Sequence, residues 1–310
     1  MDSTDIVKLI EEVEMIIKAS CQGRKADCIN SLYKCQKEAL NEVLEKYFSE
    51  NYVHGIIQMP TGTGKTVLAA SLILAMWKYY TRIKRKHLLA VFLTPRIVIR
   101  RQALEKFDNL LFYSSKGCLR VFEVGKSEEF CGLFHKYFGH QNNYFNKLVM
   151  GLPHLKRIYS KYRSYRLCRD VTKGVVFLAT PQLLHSLYKN TKSECIDLLV
   201  SNIDMLIMDE IHTFYIGEEI IKTIKSFIDR KSIPIIIGLT ATPVKEAKDL
   251  LGGLIYKKLS SEAMREGVLT PGLKIITYKT YVNNLRSINT SSIHEGDEWK
   301  FAIKESKKIC

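Results

Sequence analysis

The run Met59-Pro60-Thr61-Gly62-Thr63-Gly64-Lys65-Thr66 has the composition of a phosphate-holding loop. Phosphate oxygens need backbone N–H groups at close range, which a glycine-containing turn permits, and a helix N-terminus whose dipole favours anions. Here Thr61, Gly62, Thr63 and Gly64 form the turn, Lys65 brings an ammonium for the terminal phosphates and Thr66 a hydroxyl for Mg²⁺. The strict pattern opens with Gly where this chain has Met59, which changes the motif as written and leaves its donors in place. A second set of groups lies far along the chain, where an apolar run, 203–208, ends in Asp209-Glu210 followed by Ile211 and His212. Asp209 suits a Mg²⁺ ion bound directly or through water, and Glu210 suits the orientation and deprotonation of an attacking water. Read blandly, the pair of acids caps a helix and the glycine turn carries a solvated lysine.

These groups need elements to hold them at one place. Apolar runs at 55–59, 88–94, 174–180, 203–209 and 233–239 read as strands, and the segments 36–48, 65–80, 97–111 and 181–188 read as helices. Strands apolar on both faces that alternate with helices predict an α/β fold, a parallel sheet covered on both sides. In such sheets ligands bind at the carboxyl ends of the strands, where both chemical runs fall. An amphipathic helix over 6–19 leads in.

The 310 residues carry 47 Lys and Arg against 32 Asp and Glu, a formal charge of +15, which favours a polyanionic partner. Residues 115–173 hold twelve of the basic residues and four acids, with five Tyr and five Phe. This basic insertion has the composition of a single-strand track, cations on phosphates and rings on bases, or of a solvated helical face packed through its aromatic stripe. The most apolar stretch, 67–77, is far shorter than the roughly 18 to 20 residues that cross a bilayer. The first residues lack the order of a secretory signal, so a cytoplasmic protein with no membrane partner is expected, its eight Cys reduced. Cys118, Cys131 and Cys168 have neither the number nor the spacing for a cluster or zinc site.

The ordered motifs resemble superfamily 2 helicases of the DExH type, here Asp209-Glu210-Ile211-His212. Gly238-Leu239-Thr240-Ala241-Thr242-Pro243 resembles that family's Ser/Thr-Ala-Thr motif, which links ATP hydrolysis to nucleic-acid movement, through Thr240 and Thr242. Thr94-Pro95-Arg96 with Arg100 resembles the first strand-contacting motif, and Thr180-Pro181-Gln182 the next. Gln36 matches the adenine-reading glutamine, although Leu32-Tyr33-Lys34-Cys35 departs from the usual residues before it. Within the superfamily the chain is similar to restriction-enzyme-type translocases, whose exit from the first lobe resembles 260–269.

The resemblance implies a P-loop NTPase with a RecA-like lobe over 32–259, preceded by a helical lead-in, 1–31, and followed by an exit linker and partial segment, 260–310. It implies ATP and Mg²⁺ as cofactors and nucleic acid as partner, DNA favoured over RNA. Such motors have a second RecA-like lobe that brings arginine fingers. The 67 residues after Pro243 are too few for one, so the chain is expected to be the first lobe of a motor, as a fragment, a split gene or a subunit whose second-lobe partner protein brings the arginines. The function expected is a nucleic-acid-dependent ATPase lobe. The alternatives are an ATP-sensing or single-strand-binding subunit with little turnover, and an ATPase of the viral DNA-packaging kind.

Overall fold

The computed structural model describes residues 1–20, 31–84, 87–95, 118–125, 174–190, 202–216, 218–229 and 233–270, with a few positions between 103 and 115. All of them belong to one unit, 1–271. Most of the basic insertion, Arg96, Arg100 and the apolar run 273–282 lie outside the described residues.

In chain order the elements are α1 (Ser3–Ser20), α2 (Lys34–Glu50), β1 (Val53–Gln58), α3 (Lys65–Tyr79), β2 (Leu88–Leu93), β3 (Leu119–Glu123), β4 (Gly174–Ala179), α4 (Pro181–Asn190), β5 (Met205–Asp209), α5 (Glu218–Asp229), β6 (Ile235–Thr240), α6 (Lys245–Leu251), β7 (Leu254–Lys257) and α7 (Ser260–Arg265). A 3₁₀ helix, Ile211–Ile216, follows β5 directly. The seven strands form one sheet in the order β3-β4-β2-β5-β6-β1-β7, and every pairing is parallel. The α/β expectation is met in both strand direction and covering.

The reason is visible strand by strand. In β2, β4, β5 and β6 every residue is buried, because helices cover both faces. One apolar core joins α1, α2 and α3 to the sheet through Val13, Ile17, Leu40, Leu44 and Ile73. The other lies on the opposite face, where Leu184, Ile211, Ile224 and Leu251 pack on Leu89, Phe177 and Ile236. Helix α3 is buried along most of its length, so it shows little amphipathic periodicity, and its first residue is Lys65.

The N-terminal helix is held to α3 by Glu12, which accepts from Lys78 and Arg82 and whose carboxyl is held below its ordinary pKa, chiefly by the Lys78 hydrogen bond. Two features are absent from the sequence reading. Residues 119–123, inside the stretch read as a basic insertion, form the edge strand β3, paired along its length with β4. Beyond Pro243, where no element was read from the sequence, the chain forms α6, β7 and α7.

Candidate active site

Register brings the chemistry to one edge of the sheet. Gln58 stands beside Thr240 and Asp209 beside Leu239, while Leu93 stands beside both Ala179 and Met208. The segments that follow these strands therefore emerge side by side: the phosphate loop after β1, Thr94 after β2, Thr180 after β4, Glu210 after β5 and Ala241 after β6. The Met59 N–H closes the edge by donating to the Thr240 carbonyl at 2.9 Å.

The loop itself is built from backbone conformations that only glycine adopts without strain. Gly62 and Gly64 have φ of +88° and +79°, and a Cβ on Gly64 would lie 2.4 Å from the Gln36 side-chain nitrogen. Thr63 is buried and its hydroxyl donates to the Pro60 carbonyl at 2.7 Å, which fixes the turn. Thr61 and Gly62 face solvent, and Thr66 is half-buried in the first turn of α3. Gln36 is buried: its amide nitrogen donates to the carbonyls of Thr63 and Gly64, and its oxygen accepts from the Tyr33 N–H at 2.9 Å. It thus ties the start of α2 to the phosphate loop, a positioning role that the motif comparison did not supply.

Lys65, 7% exposed, donates to the Met59 carbonyl at 3.4 Å and lies 3.3 Å from the Glu210 carboxylate. Asp209 is buried beside them, and burial together with repulsion from Glu210 pushes its pKa up to about 6, with Lys65 acting against both. Glu210 has φ +49°, a left-handed conformation that costs a side-chain-bearing residue about 1 kcal/mol. The turn is over-determined from both sides. The Glu210 N–H donates to Asp209 Oδ1, and its carbonyl accepts from the N–H and hydroxyl of Thr213 at 2.8 and 2.9 Å. This backbone turns the Glu210 side chain back toward Lys65.

His212 comes next. Its Nδ1 lies 2.8 Å from the Thr240 hydroxyl and 3.5 Å from the other Glu210 oxygen. Thr240 also accepts from the Thr242 N–H at 3.1 Å. The acids after β5 and the Thr-Ala-Thr run after β6 are therefore joined through one imidazole, a link that the sequence left unassigned.

Among the residues expected to meet a nucleic-acid strand, Gln182 is exposed and Thr180 is half-buried, its hydroxyl accepting from the Leu183 N–H as a helix cap. Thr94 is fully buried and its hydroxyl has no hydrogen-bond partner among the described residues.

The donor set fits a magnesium-bound nucleotide: glycine turn, helix N-terminus and buried ammonium on one side, and two strand-end carboxylates on the other. Sheet and site together define a RecA-like ATPase domain of superfamily 2, the class of helicases and restriction-enzyme motors. More narrowly, residues 29–245 match the model of the type III restriction enzyme Res subunit, and the chain belongs to that family. Nucleotide binding is a property of this family.

Among solved structures the chain is similar to a nuclease-deletion mutant of the Type ISP restriction-modification enzyme LlaGI in complex with a DNA substrate mimic. That match has 16% identity and a TM-score of 0.51, and it covers 79% of this chain and 21% of that one. It is also similar to a hypothetical ATP-dependent RNA helicase from Sulfolobus tokodaii, with 17% identity, a TM-score of 0.46 and coverage of 78% and 54%. The chain thus spans about a fifth of the first protein and about half of the second. No curated protein matches it. No described helix is long and apolar enough to cross a membrane.

Proposed function

We propose that this chain is the ATP-hydrolysing lobe of a nucleic-acid-dependent helicase or translocase, and that it works with a second RecA-like lobe. The observation that carries this is the convergence of Lys65, Asp209 and Glu210 at one strand edge, with Lys65 3.3 Å from Glu210. Gly62, Gly64 and Lys65 hold the phosphate chain, and Thr66 with Asp209 would hold Mg²⁺, which when bound would supply charge neutralisation to the phosphates. Lys65 leaves Glu210 for phosphate, which frees the carboxylate to take a proton from water. His212, touching both Glu210 and the Thr240 hydroxyl, carries the state of that carboxylate to the Thr-Ala-Thr run.

Thr180 and Gln182 stand at these strand ends and contact sugar and phosphate, which positions a strand without reading its sequence, while Thr94, buried after β2, joins them by motif. Arg96 and Arg100 belong with them by motif. DNA is favoured over RNA, in keeping with the restriction-enzyme family and the DNA substrate mimic bound by LlaGI. The arginine fingers come from the second lobe.

The test is steady-state ATP hydrolysis by the purified chain, alone and with single-stranded DNA, duplex DNA or RNA, beside Lys65→Ala. Stimulation by DNA, lost in Lys65→Ala together with nucleotide binding, is the expected result. Nucleotide binding with no hydrolysis under any condition, including with a second-lobe protein added, would replace the motor with an ATP-sensing subunit.

A further inference from the structure

The segment after β7, which resembles a first-lobe exit, returns to the phosphate loop. Lys258, 7% exposed, donates to Glu266 at 2.7 Å and lies 3.6 Å from Glu38 in the second turn of α2. Tyr256 donates its hydroxyl to the same Glu38 at 2.6 Å, and Lys34 lies 4.0 Å from Glu266. These contacts fasten the segment along the start of α2.

Helix α7 then ends in a tight return. The N–H groups of Val268 and Leu269 both donate to the Ala263 carbonyl at 2.9 and 3.2 Å. The return delivers the Leu269 side chain onto the apex of the phosphate loop, where its Cδ2 lies 3.2 Å from where a Cβ on Gly62 would stand. Leu269 is half-buried, and Val268 packs on the core beside it.

The loop has a direction. Its terminal-phosphate end is marked by Lys65, Asp209 and Glu210, so the sugar and base of a bound nucleotide must leave toward the opposite side. The start of α2 and the segment bearing Leu269 meet the loop at Gly62, Thr63 and Gly64, whereas Glu210 meets it at Lys65. We propose that Leu269 is an apolar wall of the nucleoside subsite, held in place by Lys258, and so a specificity-determining residue for nucleotide over bare polyphosphate. The proposal rests on the ATP-binding reading above.

The test is calorimetric titration of the full chain with Mg²⁺-ATP and, separately, with Mg²⁺-tripolyphosphate, which has the phosphates and no nucleoside. Leu269→Ala removes the apolar side chain that would face the nucleoside and is expected to weaken ATP about ten-fold. Tripolyphosphate affinity is expected to stay unchanged. Leu269→Met, close in volume, restores ATP affinity to within about three-fold and shows that the loop is intact. Lys258→Met, which frees the segment, weakens ATP in the same direction and again spares tripolyphosphate.

Unchanged or tighter ATP binding in Leu269→Ala overturns the wall. Equal loss of both ligands overturns it too, and makes Leu269 a support of the loop instead. If the unmodified chain binds neither ligand, the ATP-binding reading itself falls and the wall falls with it.

Discussion

Two polar constellations flank the phosphate loop, and they differ in whether their groups are satisfied. On the side of α2, Lys258, Glu266, Glu38 and Tyr256 pair with one another at 2.6 to 3.6 Å, and Gln36 spends both ends of its amide on backbone. On the side of β5 the same chain leaves needs unmet. Asp209 is buried where its charge is disfavoured, Glu210 is held at positive φ, and the Thr94 hydroxyl is buried without a partner among the described residues. A buried charge, a residue held at positive φ and a buried hydroxyl without a partner among the described residues, all at these strand ends, mark where a ligand is expected to complete the structure. The first side holds the loop's shape, and the second is poised for chemistry. Substitutions should therefore trade stability against activity on the β5 side and cost only stability or nucleoside affinity on the α2 side.

The largest expected effect is at Glu210. Glu210→Gln keeps the size and an oxygen facing Lys65 but removes the base, so hydrolysis should fall at least about 100-fold while nucleotide binding persists. Single-turnover hydrolysis measured beside equilibrium binding checks both halves. Equal hydrolysis rates in the two proteins would mean that the base lies elsewhere and that the strain at Glu210 is structural.

Next is Asp209, where the effect is on stability. Its folded pKa, near 6, stands above the unfolded value near 4, so the folded form holds a proton that the unfolded form has already lost. The carboxylate's cost is thus absent below about pH 4, grows as pH rises, and is complete above about pH 6. Asp209→Asn should stabilise the nucleotide-free chain by about 3 kcal/mol at pH 8, with the gain vanishing toward pH 4, as read by urea denaturation across pH. The same variant should lose Mg²⁺-dependent hydrolysis. A gain independent of pH would show that the charge of Asp209 carries no such cost.

Much of this contrast was legible in the sequence, and the part that was not has a physical reason. The β5 side could be read because its chemistry is concentrated in short runs. Lys65-Thr66 and Asp209-Glu210 follow apolar strands, and an α/β sheet places all strand ends of one kind together. Strand β3 was hidden because Arg120 and Glu123 interrupt it and its neighbours are rich in charge, so composition read as an insertion, whereas this edge strand packs through Leu119 on one face and Phe122 on the other. The α2 side was invisible for a different reason. Its partners stand more than two hundred residues apart in the case of Glu38 and Tyr256, and no local pattern encodes such a pair. Gln36 was found by its position in a motif, but its bracing of Thr63 and Gly64 depends on how closely α2 approaches the loop.

Thr94 gives a smaller and sharper test. An unpaired buried hydroxyl costs about 1 to 3 kcal/mol, and valine fills the same volume without it. Thr94→Val should raise stability by about 1 kcal/mol and at the same time lower the stimulation of hydrolysis by a nucleic-acid strand. Thermal denaturation and stimulated hydrolysis measured on one preparation decide the matter. A loss of stability would mean that the hydroxyl already has a partner and that Thr94 belongs with the satisfied groups.

The smallest effect is expected where needs are already met. Tyr256→Phe deletes the hydroxyl that donates to Glu38 and leaves the ring packed on the core. Burial and the neighbouring Glu38 push that hydroxyl's pKa up, so it stays protonated and its contribution should not vary between pH 6 and pH 9. Because Glu38 keeps Lys258 and water as alternatives, the variant should lose only about 0.5 to 1 kcal/mol and leave hydrolysis per bound nucleotide unchanged. Denaturant unfolding at two pH values beside hydrolysis at saturating ATP separates the two quantities. A fall in turnover at saturation would place Tyr256 in the chemistry, and the two sides of the loop would then have to be treated as one coupled network.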